Sequence, residues 1–326
     1  MNKYKIVITD YYYPSLTEEY KEFERLGAKT EIVDCTRVVP GGIKNPDELL
    51  PYVADADALI VQFAKIPAEL IDKLEKCKVI ARYAIGVDTI DLEAAAKKGI
   101  YVANVPDYCI DEVADTAAAH ILCCMRRLMA SRDMLLQGCF EMDRIRPVRR
   151  LKNCTLGLLG FGNISRNLAG KMKSFFGRIL VSDPYFQGEA EYPELEFTTQ
   201  EQLLRESDVI SIHVPLSEST RNMISTEEFS LMKKGVVLVN TSRGGIIDED
   251  ALWEALERGQ AGGCGLDVLA VEDFQGSRFL THPRVVLTPH TGWCSEEAML
   301  ELQRKTARNV VETLLNGRPV YCAGHL

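Results

Sequence analysis

No run of about 18 consecutive apolar residues occurs in this 326-residue chain, so the sequence offers no helix able to span a membrane. The opening residues, MNKYKIVITD, pass straight into a strand pattern and lack the apolar stretch of a secretory leader. Positive charge is not in excess. The 38 basic residues stand against 47 acidic ones, for a net charge of −9, which argues against a nucleic-acid footprint. None of the ten cysteines forms a CxxC pair, so the usual zinc and dithiol spacings are missing and no metal site is expected. Cys123 and Cys124, inside AAAHILCCMRRL, read as small buried hydrophobes in a reducing cytoplasm. Low-complexity segments and clear internal repeats are also absent.

What is present is an ordinary globular composition, 46% hydrophobic and 26% charged, in a chain long enough for about two domains. Up to about residue 103, the β-branched runs YKIVIT, KTEIVDC, DALIVQ, KVIARYA and IYVANV alternate with helical patterns. Those patterns lie near 16–26, 46–54, 67–76 and 91–98. Such alternation is the mark of a parallel sheet covered on both faces, so the fold class is α/β. A long apolar helix is expected over roughly 111–130, followed by an irregular basic stretch over 132–153. Its cluster Arg144, Arg146, Arg149, Arg150 and Lys152 reads as a solvated or subunit-contact surface. A second βα series begins at TLGLLG and continues through RILVSD, VISIHV, GVVLVN, AGGCGLDV and RVVLTPH. The last long helix, about 295–316, carries Glu296 and Glu297 early and ends at NGRP.

The strongest local signal is a strand running into Gly160-Phe161-Gly162-Asn163-Ile164-Ser165 and then a helix. Gly160 permits a tight turn, and Gly162 lets the backbone approach a pyrophosphate at the helix N-terminus, beside Asn163 and Ile164. Ser165 stands where the fingerprint has its third glycine. The following strand ends on Asp183, about 20 residues beyond Gly162, where an acid accepts ribose hydroxyls and repels a 2′-phosphate. This favours NAD over NADP. The alternative is a glycine turn and an aspartate that only caps the next turn.

Three further segments, VNTSRGGIIDEDAL, GLDVLAVEDF and LTPHTGW, put polar groups just past apolar strands, on the edge where ligands bind in open α/β sheets. They supply Arg243, Glu272 and His290. An arginine can clamp a carboxylate bidentately. A histidine can protonate a carbonyl oxygen as hydride arrives. A carboxylate beside it favours its charged form. Each also has a plainer reading: a loop ion pair for Arg243 and a surface acid for Glu272.

In these segments the chain resembles the D-2-hydroxyacid dehydrogenases. The resemblance extends through IGVDTIDLEAAAKKGI, NVPDYCIDEVADTAAAHIL and HVPLSESTRNMI and covers essentially the whole sequence. It implies a Rossmann nucleotide-binding domain, 104–294, inserted in a flavodoxin-like split catalytic domain, 1–103 plus 295–326. It implies hydride transfer between NAD and a small 2-hydroxy or 2-keto acid in a cytoplasmic homodimer. Ile85 and Gly86 would contact the substrate carboxylate through their backbone. Val214, Pro215, Thr220, Thr241, Ser242 and Gly292 would line the cofactor, and Asp267 would hold its carboxamide. PHTGWCSEEA is similar to the C-terminal-binding protein corepressors, which carry a tryptophan where Trp293 stands. Trp293 is therefore either a substrate-pocket wall or packing, and an NAD(H)-sensing binding protein is the competing function. Ala84 and Asp273 depart from the usual glycine and proline. Glu272, rather than an uncharged amide, argues against formate oxidation. Of the remaining histidines, His120 reads as a core residue, His213 as a strand-end residue, and His282 and His325 as exposed. Arg82 precedes the substrate loop in an undetermined direction.

Overall fold

The computed structural model describes residues 4–27 and 30–323. His325 lies outside them. The chain opens with β1 (Lys5–Ile8), α1 (Thr17–Phe23), β2 (Glu31–Asp34), α2 (Pro46–Val53), β3 (Ala58–Val61) and α3 (Ala68–Ile71). β4 (Val79–Arg82), α4 (Leu92–Lys97) and β5 (Tyr101–Ala103) follow. Next come α5 (Ile110–Met125), α6 (Leu128–Leu136), β6 (Thr155–Leu159), α7 (Asn163–Met172), β7 (Arg178–Ser182), β8 (Glu196–Phe197) and α8 (Gln200–Glu206). The series closes with β9 (Val209–Ile212), α9 (Thr226–Leu231), β10 (Val236–Asn240), α10 (Glu249–Glu257), β11 (Ala261–Leu266), β12 (Val285–Leu287) and α11 (Glu296–Asn316).

Two compact units result: residues through Tyr108 together with those from Ser295, and Cys109–Cys294. The first reaches past residue 103 because Asn309 of α11 donates to the Asn104 carbonyl and Tyr321 donates to Asp107. Its five-stranded sheet runs β2-β1-β3-β4-β5, all parallel, the flavodoxin-like order. Ile6, Val7, Ile8, Leu59, Ile60 and Ile80 are fully buried, as a sheet covered on both faces requires.

The second unit carries a seven-stranded parallel sheet, β12-β11-β10-β9-β6-β7-β8. The order reverses between β6 and β9, which is the switch point where nucleotides bind in doubly wound folds. α5 comes close to β11 because alternate residues of that strand are glycines. A Cβ on Gly263 would meet Cys124, and one on Gly265 would stand 2.6 Å from the His120 ring. The sequence reading of one helix over 111–130 is corrected. Arg127 adopts φ 55° and donates to the Gly262 carbonyl, so the helix breaks there and α6 starts anew. Residues 132–136, read as irregular, belong to α6. The two-residue β8 was missed because so short a strand carries no periodicity.

Within the first unit, Glu19 of α1 is fully buried and accepts from the Tyr83 hydroxyl at 2.7 Å and the Gln303 amide at 3.0 Å. Burial pushes its carboxyl above the usual range, with Tyr83 and Gln303 opposing. A raised carboxyl contributes its full stability below the unfolded-state value, about 4.3, and loses it as pH rises through the folded value. Relative to wild type, Glu19→Gln should therefore gain stability between pH 4 and pH 8, on top of any constant offset. Urea denaturation at the two pH values tests this; a pH-independent difference would contradict it.

Candidate active site

The glycine loop follows β6. Gly160 has φ +90°, and a Cβ there would stand 2.7 Å from the His213 carbonyl oxygen, so only glycine fits without strain. Gly162 is different: nothing lies within 4 Å of where its Cβ would be. It precedes α7 and has no side chain to cap the first helical N–H groups, so Asn163 and Ile164 open a helix whose positive end is uncapped. Ser165 is fully buried, which accounts for a small residue there. Asp183 accepts from Phe161 N at 2.8 Å and from Tyr185 N at 2.9 Å, so it braces the glycine loop as well as capping its own turn. Phe161 fixes the loop from below, edge-on to Phe186, Tyr192 and Phe197 at 5.0, 5.1 and 5.4 Å. The sequence reading passed over this cluster, because Phe161 lies in the glycine loop and its three partners in a later stretch, 186–197, without helix or strand periodicity.

The loops after β9 and β10 flank that turn. Val214 lies beside Gly160. Thr220 donates to the Pro215 carbonyl at 2.6 Å and accepts from Ser217 N, which closes the 215–220 loop. Burial pushes the His213 imidazole down to about 4, and its Nε2 meets Ser211 Oγ at 2.8 Å, so it is a neutral packing residue. Asn240, fully buried and missed in the sequence, shapes the next loop. Its Oδ1 accepts from Ser242 N and its Nδ2 donates to the Arg243 carbonyl. Ser242 Oγ donates to the Ile212 carbonyl, whereas the buried Thr241 Oγ1 has no partner.

Arg243, Glu272 and His290 follow β10, β11 and β12. Gly244 is obligatory: a Cβ there would overlap the Leu269–Ala270 backbone, and this tight crossing brings the Arg243 and Glu272 segments together. Glu272 Oε1 lies 2.6 Å from His290 Nδ1. Since an ionised carboxylate only accepts, Nδ1 carries the hydrogen and Nε2 is left for other chemistry. The hydrogen bond from His290 holds the Glu272 carboxyl below its usual range, with the Arg243 charge also lowering it. His290 adopts φ +53°, a left-handed conformation that is uncommon outside glycine. Its N–H donates to the Asp267 carbonyl at 2.8 Å, and its carbonyl accepts from the Trp293 indole at 3.0 Å. Asp267 Oδ1 accepts from Thr291 N at 3.0 Å and Oδ2 from Gly292 N at 2.8 Å.

Ile85 and Gly86 belong to the other unit, on the loop after β4. Their carbonyls accept from Asn104 and Arg82, and Arg82 also donates to the Gln62 carbonyl, so that guanidinium serves loop structure. His282, read as exposed, is buried: its Nδ1 accepts from Arg284 N, and its ring lies edge-on to Trp253 at 5.3 Å. A single residue in the loop before β12 offers no periodicity from which to read burial.

Residues 118–292 match the model of the D-isomer specific 2-hydroxyacid dehydrogenase NAD-binding domain. The chain is 39% identical to a hydroxypyruvate reductase of Thermotoga maritima over 82% of its own length and 87% of that protein. It is 38% identical to a glyoxylate reductase of Thermococcus litoralis, over 81% and 82%. Among solved structures, a D-lactate dehydrogenase of Aquifex aeolicus, complexed with NAD and lactic acid, superposes with TM-score 0.81 at 29% identity, covering 99% of this chain and 100% of that one. The chain therefore belongs to the D-isomer specific 2-hydroxyacid dehydrogenases and is an NAD-dependent oxidoreductase. The residues present fit that cofactor: an uncapped helix N-terminus, open space at Gly162 and an unpartnered buried hydroxyl at Thr241.

The two loop glycines should respond differently to substitution. Gly160→Ala forces a side chain into positive φ against a carbonyl and should cost at least about 1–2 kcal/mol of stability. Gly162→Ala keeps an ordinary φ and meets no atom, so it should cost only the difference between glycine and alanine at a helix N-cap, about 0.5 kcal/mol or slightly more. Equal losses in chemical denaturation would contradict this account of the loop.

Proposed function

We propose that this protein interconverts a small D-2-hydroxy acid and its 2-keto acid, with Arg243 binding the substrate carboxylate and His290 transferring the proton. The observation that carries this reading is the 2.6 Å pairing of Glu272 with His290 Nδ1, which leaves Nε2 for a substrate oxygen. NAD, when bound, supplies the hydride acceptor and donor. In the first unit, Ile85 and Gly86 are the backbone candidates for a substrate carboxylate; in the second, Trp293 borders the substrate through its fixed position beside His290. Gly160, Gly162, Asn163 and Ile164 receive the pyrophosphate at the α7 N-terminus. Asp183 accepts from the ribose with the lone pairs that its two backbone bonds leave over. Val214, Pro215, Thr220, Thr241, Ser242, Asp267 and Gly292 line the remainder. A cytoplasmic homodimer belongs to the same reading. Leu128, Leu135, Leu136, Phe140 and Met142 are all exposed in one segment, an apolar face that suits a second copy. Among the described residues no helix is long and apolar enough to cross a membrane.

Cofactor choice is tested by kcat/KM with NADH and NADPH. Wild type should prefer NADH, and Asp183→Ala should narrow the preference. Gly162→Ala should weaken NADH binding, measured by fluorescence titration, in a protein that remains folded. A wild-type preference for NADPH would remove Asp183 from this role.

Proton transfer is tested with a panel of 2-keto acids. His290→Ala should lower turnover by about 10²–10⁴-fold while NADH still binds. Glu272, held anionic by the His290 hydrogen bond, keeps the hydrogen on Nδ1 and fixes the ring. Glu272→Ala, which leaves Nδ1 without its acceptor, should lower kcat while NADH affinity stays close to wild type. An unchanged kcat would separate Glu272 from His290. NADH binding without turnover on any keto acid would instead favour the NAD(H)-sensing reading.

A further inference from the structure

His120 of α5 is 3% exposed and has no part in the chemistry proposed above. Its Nε2 lies 3.0 Å from Thr288 Oγ1, and Thr288 Oγ1 lies 2.5 Å from Asp267 Oδ1. The direction of this chain follows from counting hydrogens. A carboxylate only accepts, so the single hydroxyl hydrogen of Thr288 goes to Asp267. Thr288 Oγ1 must then accept from His120, whose hydrogen sits on Nε2. His120 Nδ1 is buried with no hydrogen-bond partner, as an unprotonated nitrogen would be. Burial also pushes this imidazole down and keeps it neutral.

Asp267 in turn gathers three consecutive backbone donors. Its carbonyl takes His290 N, and its carboxylate takes Thr291 N and Gly292 N. One turn earlier on the same face of α5, Thr116 donates to the Gly292 carbonyl at 3.3 Å. The helix therefore grips the His290 turn at both ends. Gly265 is what lets the imidazole reach: any side chain on that strand residue would occupy the ring's place.

We propose that His120, acting through Thr288 and Asp267, is a positioning residue for His290, holding its left-handed turn so that Nε2 meets the substrate oxygen. This rests on the assignment of His290 as the proton-transferring residue. His120 touches neither substrate nor reacting atoms, and its effect is confined to the geometry of the turn. A small displacement of a proton donor is enough to slow a reaction about 100-fold.

The test uses the whole enzyme, NADH and the best keto acid of the panel. Thr288→Val, nearly isosteric, breaks the chain at its centre; kcat should fall on the order of 10- to 100-fold with KM and NADH affinity much less affected. Thr288→Ser, which restores the hydroxyl, should recover most of the loss. His120→Leu should resemble Thr288→Val, and His120→Gln, whose amide can still donate, should recover part. Should Thr288→Val fail to fold, His120→Leu against His120→Gln decides the matter. In a His290→Ala background Thr288→Val should add no further loss, because residues acting through one group are not additive. A wild-type kcat in folded Thr288→Val, or losses that simply add, overturns the proposal. When His290→Ala is impaired, either result defeats the positioning role alone. Near-normal turnover in His290→Ala overturns both readings.

Discussion

The His290 turn depends on one buried carboxylate. Asp267 is 2% exposed, and burying an anion is costly unless donors surround it. Here the surrounding donors are the backbone N–H groups of residues 291 and 292 and the Thr288 hydroxyl. The dependence runs both ways. The turn solvates the aspartate, and the aspartate holds three successive amides, one on its carbonyl and two on its carboxylate, with His290 at positive φ. A free chain would rarely place histidine in that conformation. The strained residue is also the one whose ring meets Glu272, so local strain and chemistry coincide.

That arrangement needs the parallel sheet. Strands β9, β10, β11 and β12 end on the same edge, and residues 213–215, 241–243, 267–272 and 288–292 leave from it. The helices press close enough to contribute because β11 alternates glycines under α5. Without Gly265 the His120 ring would be displaced, and without Gly244 the Arg243 loop could not pass the Leu269 backbone. Glycines that look like weak points in a strand are the places where a second element takes the missing side chain's space.

Much of this was legible in the sequence, for reasons specific to each part. Strands such as VVLVN and ALIV announce themselves as continuous apolar runs because both faces of a parallel sheet are covered. Arg243, Glu272 and His290 could be read because each follows such a run. Asn240, Thr288 and the partners of Phe161 could not. They act through contacts between distant segments, and a lone asparagine or threonine at a strand end has many uses. The break at Arg127 was hidden for a similar reason. Apolar residues continue across it, and the bond that draws the arginine aside goes to a carbonyl more than a hundred residues away. His282 was misread because burial at a loop depends on what packs over it, here Trp253.

The two carboxylates near His290 illustrate how exposure divides labour between like groups. Glu272 has a side chain half exposed to solvent, and a charge pair so wet is worth little as architecture. What it can do is fix the hydrogen on Nδ1 of the ring it touches, since a hydrogen bond at 2.6 Å acts locally and resists screening better than a distant charge. Asp267 is the reverse. Enclosed by backbone amides, it defines geometry, and its charge is already answered by its own donors. Exchanging their environments would ruin both: a buried Glu272 would demand donors that the exposed loop lacks, and an exposed Asp267 would release the turn. The site therefore sets the tautomer from the solvent side and the shape from the core side of a single histidine.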